Sequence, residues 1–174
     1  PHVFVAVYSW EDGSFSELPS ITLDIGKQDR SLRCNNFSMI DHDADGDQEL
    51  VLSLGSPYRG FAILDLDSQG RLVIIKKIRP DELLVGSGLL YSAVVDYDND
   101  GYEDLLAISP EGNTIKAQPF YNIGGIFDSG PLIRKNFEGI SGILHNSFQL
   151  TDWDADGFKD VLAPFRSGDI IALT

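Results

Sequence analysis

A single cysteine, Cys34, stands in 174 residues, which excludes an intrachain disulfide framework and any CxxC zinc or redox site. Basic residues are also scarce: 13 Lys and Arg face 27 Asp and Glu, a formal net charge of −14. A surface of that sign repels nucleic acid and anionic membrane, and leaves cations, basic proteins and neutral ligands such as sugars as partners. No apolar run approaches the roughly 18 residues of a bilayer-spanning helix, so membrane insertion is not expected. The three histidines, His2, His42 and His145, build no Ser/His/Asp or Cys/His arrangement, and the chain does not read as an enzyme. Amphipathic helical periodicity is missing, with at most a single turn over Pro80–Leu84. No secretory leader is visible, and the chain opens on Pro1 rather than Met, which reads as a processed chain or a fragment. What remains is 43% apolar and 10% aromatic, an ordinary globular composition with enough residues for a core.

The acids are not spread evenly. Three nine-residue stretches, 41–49, 96–104 and 152–160, hold 14 of the 27. Each reads D-x-D-x-D-G-x-x-[DE], and the starts are 55 and then 56 residues apart. A fixed period of that size is the mark of a repeat architecture. The repeats divide the chain into a half unit over 1–30, full units over 31–85 and 86–140, and an incomplete unit over 141–174.

The spacing suits a hard cation. Ca²⁺ takes six to eight oxygens at about 2.3–2.6 Å, whereas Mg²⁺ prefers fewer protein ligands and keeps its waters. Carboxylates at loop positions 1, 3 and 5 converge if the chain coils tightly: Asp41, Asp43 and Asp45; Asp96, Asp98 and Asp100; Asp152, Asp154 and Asp156. Glycine at position 6 allows the sharp turn. Position 7 offers a backbone carbonyl from Asp47, Tyr102 or Phe158, and position 9 closes the cage with Glu49, Asp104 or Asp160. Three Ca²⁺ sites are therefore expected. An EF-hand needs a bidentate Glu at position 12, but that position holds Leu52, Ala107 and Ala163.

The flanks read as strands. Short apolar runs at 37–40, 92–95 and 147–150 precede the loops, and 50–54, 105–108 and 161–163 follow them. Third strands are expected over 61–66, 114–120 and 169–173, with fourth strands over 72–78 and near 130–135. The N-terminus offers a hairpin over 3–10 and 15–23. The fold class is all-β, with four antiparallel strands per 55-residue unit, the size of a propeller blade. About three blades plus an N-terminal hairpin do not make a closed ring, so further blades of the same chain or another subunit are expected to complete it. The runs at 50–54 and 105–108 alternate little and read as buried on both faces.

D-x-D-x-D-G-x-x-D followed by an apolar strand resembles the FG-GAP/VCBS repeat of integrin-α-like β-propellers. The likeness covers nearly the whole chain, three times over, and Glu49–Pro57 is similar to that family's segment ending in Gly-Ala-Pro. The other two units lack that ending, and none has a clear Phe-Gly entry, so the chain stands nearer the VCBS end. The resemblance implies Ca²⁺ between the first two strands of each blade, with Asp41, Asp43, Asp45 and Glu49 and their counterparts as ligands. Glu49 departs from the usual Asp.

The functional expectation is a calcium-binding propeller module for protein or glycan binding and adhesion, with structural calcium. The alternatives are a structural subunit of an assembly or filament, and a non-catalytic part of a polysaccharide-active enzyme. Weak calcium sites would be empty at cytosolic calcium, which points to an extracellular, cell-surface, periplasmic or luminal location. His42 reads as a surface residue at a loop position turned from the metal. Tyr97 and Trp153 share that position and read as packing over the loops, with stacking on a sugar as the other reading. Cys34, Leu89 and His145 each fall seven residues before a loop, toward a central opening. The sequon Asn36-Phe37-Ser38 reads as chance, since a glycan fits badly at a first strand.

Overall fold

In the computed structural model, which describes residues 2–5, 8–17, 21–24, 34–55, 58–80, 84, 90–138, 148–157, 159–164 and 170–173, every regular element is a β-strand. Leu89, His145 and most of the suggested turn over 80–84 lie outside the described residues. At the N-terminus β1 (His2–Val5) pairs with β4 (Ile21–Asp24), and β2 (Tyr8–Glu11) with β3 (Ser14–Glu17), all antiparallel. Asp12 and Gly13, with φ of 51° and 79°, make the two-residue turn of that hairpin.

Three further sheets follow in chain order. The first is a meander of β5 (Cys34–Ile40), β6 (Glu49–Leu54), β7 (Gly60–Leu66) and β8 (Leu72–Ile78). The second runs β9 (Tyr91–Val95), β10 (Asp104–Glu111) and β11 (Thr114–Ile123). The third runs β14 (Gln149–Thr151), β15 (Asp160–Pro164) and β16 (Ile170–Leu173). Pairing is antiparallel throughout. The outer edge of the second sheet departs from the single strand expected near 130–135. It holds two strands, β12 (Ile126–Ser129) and β13 (Ile133–Asn136), and both pair with β11. At ten residues β11 is long enough to carry two partners end to end. Gly130 lies between them, its N–H bonded to Pro119 O at 2.8 Å. A Cβ there would stand 2.7 Å from both the Pro119 ring and the Tyr121 ring.

Period-two alternation sends successive residues to opposite faces, and both faces of the central strands are covered. In β6 and β7, Val51, Phe61 and Ile63 join Leu105, Ala107 and Phe120 of the next sheet in one core. Leu52, Leu54, Ala62 and Leu64 form a second core on the opposite face. Leu106, Ile108 and Ile115 turn to a third core, shared with Ala163 and Val161 of β15. The sheets therefore stack face to face in sequence order, and β6 and β10 are buried nearly end to end, as expected. Among the described residues they close into neither a barrel nor a ring.

The seam between the first strands of neighbouring sheets is polar. Asn36 Nδ2 donates to Ser92 O at 3.0 Å, and Ser92 N–H donates to Asn36 Oδ1 at 3.1 Å. Ser92 Oγ lies 2.8 Å from the hydroxyls of Ser38 and Ser53. Asn36 thus spends its amide on β9, which agrees with reading its sequon as chance. No helix among the described residues is long and apolar enough to cross a membrane.

Candidate metal centres

Each acidic stretch joins the first two strands of a sheet: β5 to β6, β9 to β10, and β14 to β15. The three loops share one backbone path. Position 4 is left-handed in all of them, with φ of 61° at Ala44, 59° at Asn99 and 61° at Ala155. Position 6 is positive again, at 94°, 93° and 94° for Gly46, Gly101 and Gly157. Two such residues coil the chain tightly, and only glycine takes φ near 94° without steric cost.

The coil is held by its own carboxylates. The N–H of Gly46, Gly101 and Gly157 donates to Oδ2 of Asp41, Asp96 and Asp152 at 3.1, 3.0 and 3.1 Å. At the other end, the position-9 carboxylate accepts the position-2 N–H. His42 donates to Glu49, Tyr97 to Asp104 and Trp153 to Asp160, at 2.8, 2.7 and 2.8 Å. These three acids are 3%, 1% and 3% exposed, so the base of each loop is an ionisable group shielded from bulk solvent. Burial pushes the Asp104 carboxyl above its ordinary range, with Asp98 and Asp100 adding to the rise; the amides of Asn122 and Tyr97 pull the other way.

The side chains converge as the spacing predicts, and in the first loop Glu49 also groups with Asp43 and His42. Ligand oxygens of Asp41, Asp43 and Asp45 lie within 4.8 Å of one another, as do those of Asp152, Asp154 and Asp156. In the middle loop the group is Asp96, Asp98 and Asp104. Asp100 Oδ1 accepts the Tyr102 N–H at 2.8 Å, the same turn bond that Asp45 makes in the first loop. Asp47 is exposed, its N–H on Asp45 Oδ1 at 2.9 Å, and Phe158 lies outside the described residues. Two oxygens are conspicuous: Asp41 Oδ1 and Asp152 Oδ1 are buried and have no hydrogen-bond partner. A buried carboxylate oxygen with nothing to accept is costly. Together with an all-oxygen donor set and like charges held close, it fits a hard divalent cation.

Two residues of this region were not singled out by the sequence reading, and a third departs from it. His42 is not a free surface side chain: Nδ1 lies 2.6 Å from Glu49 Oε2. Glu is one methylene longer than Asp at position 9, and His occupies position 2 in that loop alone, so the pair was readable as a matched exchange. Glu103, at position 8 of the second loop, accepts the Asp41 N–H at 2.8 Å. Asn122 is fully buried. It donates through Nδ2 to His42 O at 2.7 Å and Glu103 O at 3.1 Å, and through its N–H to Asp104 Oδ1 at 2.7 Å. The last two carry no local signal, because their partners come from a neighbouring sheet or hairpin. Tyr97 packs near Tyr121, with ring centroids 6.1 Å apart, yet is 42% exposed, and Trp153 is 66% exposed. The expected packing over the loops therefore leaves both rings open to solvent. No family model matches the chain, and no curated protein or solved structure is significantly similar to it.

Proposed function

We propose that the chain is a non-catalytic, calcium-binding β-propeller segment of the FG-GAP/VCBS kind, in which three structural Ca²⁺ ions brace successive blades. The observation that carries this reading is the repeated loop: three copies share one left-handed coil, with carboxylates converging inside it. In two of them the first Asp holds a buried oxygen with no protein partner. The residues that would hold the ions are Asp41, Asp43 and Asp45, then Asp96, Asp98 and Asp104, then Asp152, Asp154 and Asp156. The meander order and the stacking of first strands support the blade organisation. β5 is stitched to β9 through Asn36 and Ser92, and Tyr91 of β9 meets Phe148 beside β14 with centroids 5.5 Å apart.

Bound calcium removes carboxylate repulsion and ties two strands together. Sites of the extracellular class have Kd of about 10⁻⁴–10⁻³ M. At about 1 mM calcium and a Kd near 10⁻⁴ M, each site adds about 1.4 kcal/mol. Such sites fill outside the cytosol, which supports an extracellular, cell-surface, periplasmic or luminal setting. The partner is a protein or glycan engaged from the loop face, where Tyr97 and Trp153 stand exposed. Calorimetric titration of EDTA-stripped protein should find three calcium equivalents, and calcium should restore a melting temperature that EDTA lowers. An unchanged melt, with no heat of calcium binding, would sink the proposal.

A further inference from the structure

The first two loops are bonded to each other directly. The N–H of Asp41 opens the first loop and is satisfied by Glu103 Oε2, 62 residues away in the second loop. Asn122 makes a second bridge, from Asp104 and Glu103 of the second loop to the His42 carbonyl of the first. Its Oδ1 also accepts the Gly125 N–H at 2.9 Å, which fixes the side chain in place. The counterpart of Glu103 in the third loop is Lys159, which is exposed. An ammonium has no acceptor, so it cannot hold the Asp96 N–H in the same way.

We infer that Glu103 is a positioning residue that couples the first and second metal loops, so that filling one raises the affinity of the other while the third fills on its own. The inference rests on the calcium reading above. Glu103 sits between Tyr102 and Asp104, so an ion gathered by Asp96, Asp98 and Asp104 fixes the backbone from which Glu103 reaches out. Glu103 then holds the Asp41 N–H, and with it the residue whose buried Oδ1 lacks a protein partner. Ordering the bridge once serves both sites, which is positive coupling. By linkage the effect is reciprocal.

The position-6 glycines give one reporter per loop, because each N–H lies on the first carboxylate of its own site. Amide NMR spectra of the full chain are followed through a calcium titration. Gly46 and Gly101 should shift over one calcium range and Gly157 over another. Asp98→Asn, at an exposed position, should stop the Gly101 shift and raise the Gly46 midpoint about fivefold, the lower end of usual coupling factors. Asp154→Asn should leave the Gly46 midpoint in place. Glu103→Ala should raise that midpoint as Asp98→Asn does, and Glu103→Gln, which keeps an acceptor oxygen, should restore it. A Gly46 midpoint unmoved by both Asp98→Asn and Glu103→Ala overturns the coupling while the calcium reading stands. Absence of any glycine shift at millimolar calcium overturns both.

Discussion

At the scale of single residues, Asp41 holds two oxygens in opposite conditions. Oδ2 accepts the Gly46 N–H at 3.1 Å, while Oδ1 is buried without a partner. Asp41→Asn should therefore act with opposite sign in two buffers. In EDTA the amide oxygen still accepts the Gly46 N–H and one negative charge leaves the cluster, so stability should hold or rise. In calcium a ligand is lost, and the variant should fall short of wild type by at least about 1.4 kcal/mol, one site's share, because the coupled second site weakens with it. Paired melts with and without calcium check this; a loss of equal size in both buffers would assign Asp41 a purely structural role. The convergence of the acidic side chains was legible because their spacing lies within nine residues. The His42–Glu49 contact was half legible, as an exchange at two positions of one loop. Glu103 and Asn122 were not, since nothing near them in the chain marks their partners.

Among the elements, the hairpins follow from alternation and turn chemistry. The β7–β8 turn shows the local logic. Asp67 Oδ1 accepts the N–H of Gln69 and Arg71 at 2.9 Å each, and Oδ2 accepts the Arg71 guanidinium at 2.9 and 2.7 Å. The Arg71 side-chain bonds lower the Asp67 pKa from 3.8 to about 2, helped by the amides. A depressed carboxyl stabilises the fold above its ordinary range and loses that contribution as pH falls through its folded value. The gap between the melts of wild type and Asp67→Asn should thus be constant from neutral pH to about pH 5 and close between about pH 4 and 2. A gap that ignores pH would show that the charge contributes nothing. Gly60 opens β7 where a Cβ would stand 2.5 Å from the Ile78 carbonyl oxygen. Gly60→Ala should cost about 1–3 kcal/mol, read as a lower urea midpoint with an unchanged slope. The strand β8 was read with its bounds intact. The divided outer edge of the second sheet was missed, because β12 and β13 owe their register to the unusual length of β11.

For the whole molecule, the decisive feature is the stacking of sheets in chain order. Asn36 and Ser38 of β5 turn toward β9. Alternation sends Phe37 and Met39 to the other face, where they are 70% and 44% exposed. A strand with one face stitched to a neighbour and the other presenting a phenylalanine and a methionine to water fits an expectation of further polypeptide at that face. The purified chain should therefore scatter light as a species heavier than 19.1 kDa, or melt at a temperature that rises with concentration. Phe37→Ser with Met39→Ser should return it to the monomer mass. A monomer with a sharp, concentration-independent melt in the unaltered chain would remove that expectation.

The class of fold and the place of the acidic loops follow from the sequence alone. Both are local: strand alternation has period two, and a nine-residue loop supplies its own turn and its own oxygens. Which loops are bonded to each other follows only from the tertiary structure. The bond from Asp41 to Glu103 spans 62 residues and that from Asn122 to His42 spans 80. Which polar groups meet over such distances depends on the order and angle at which the sheets stack. Apolar faces of similar composition set that order, and their pattern says only that each must be covered, not by which neighbour.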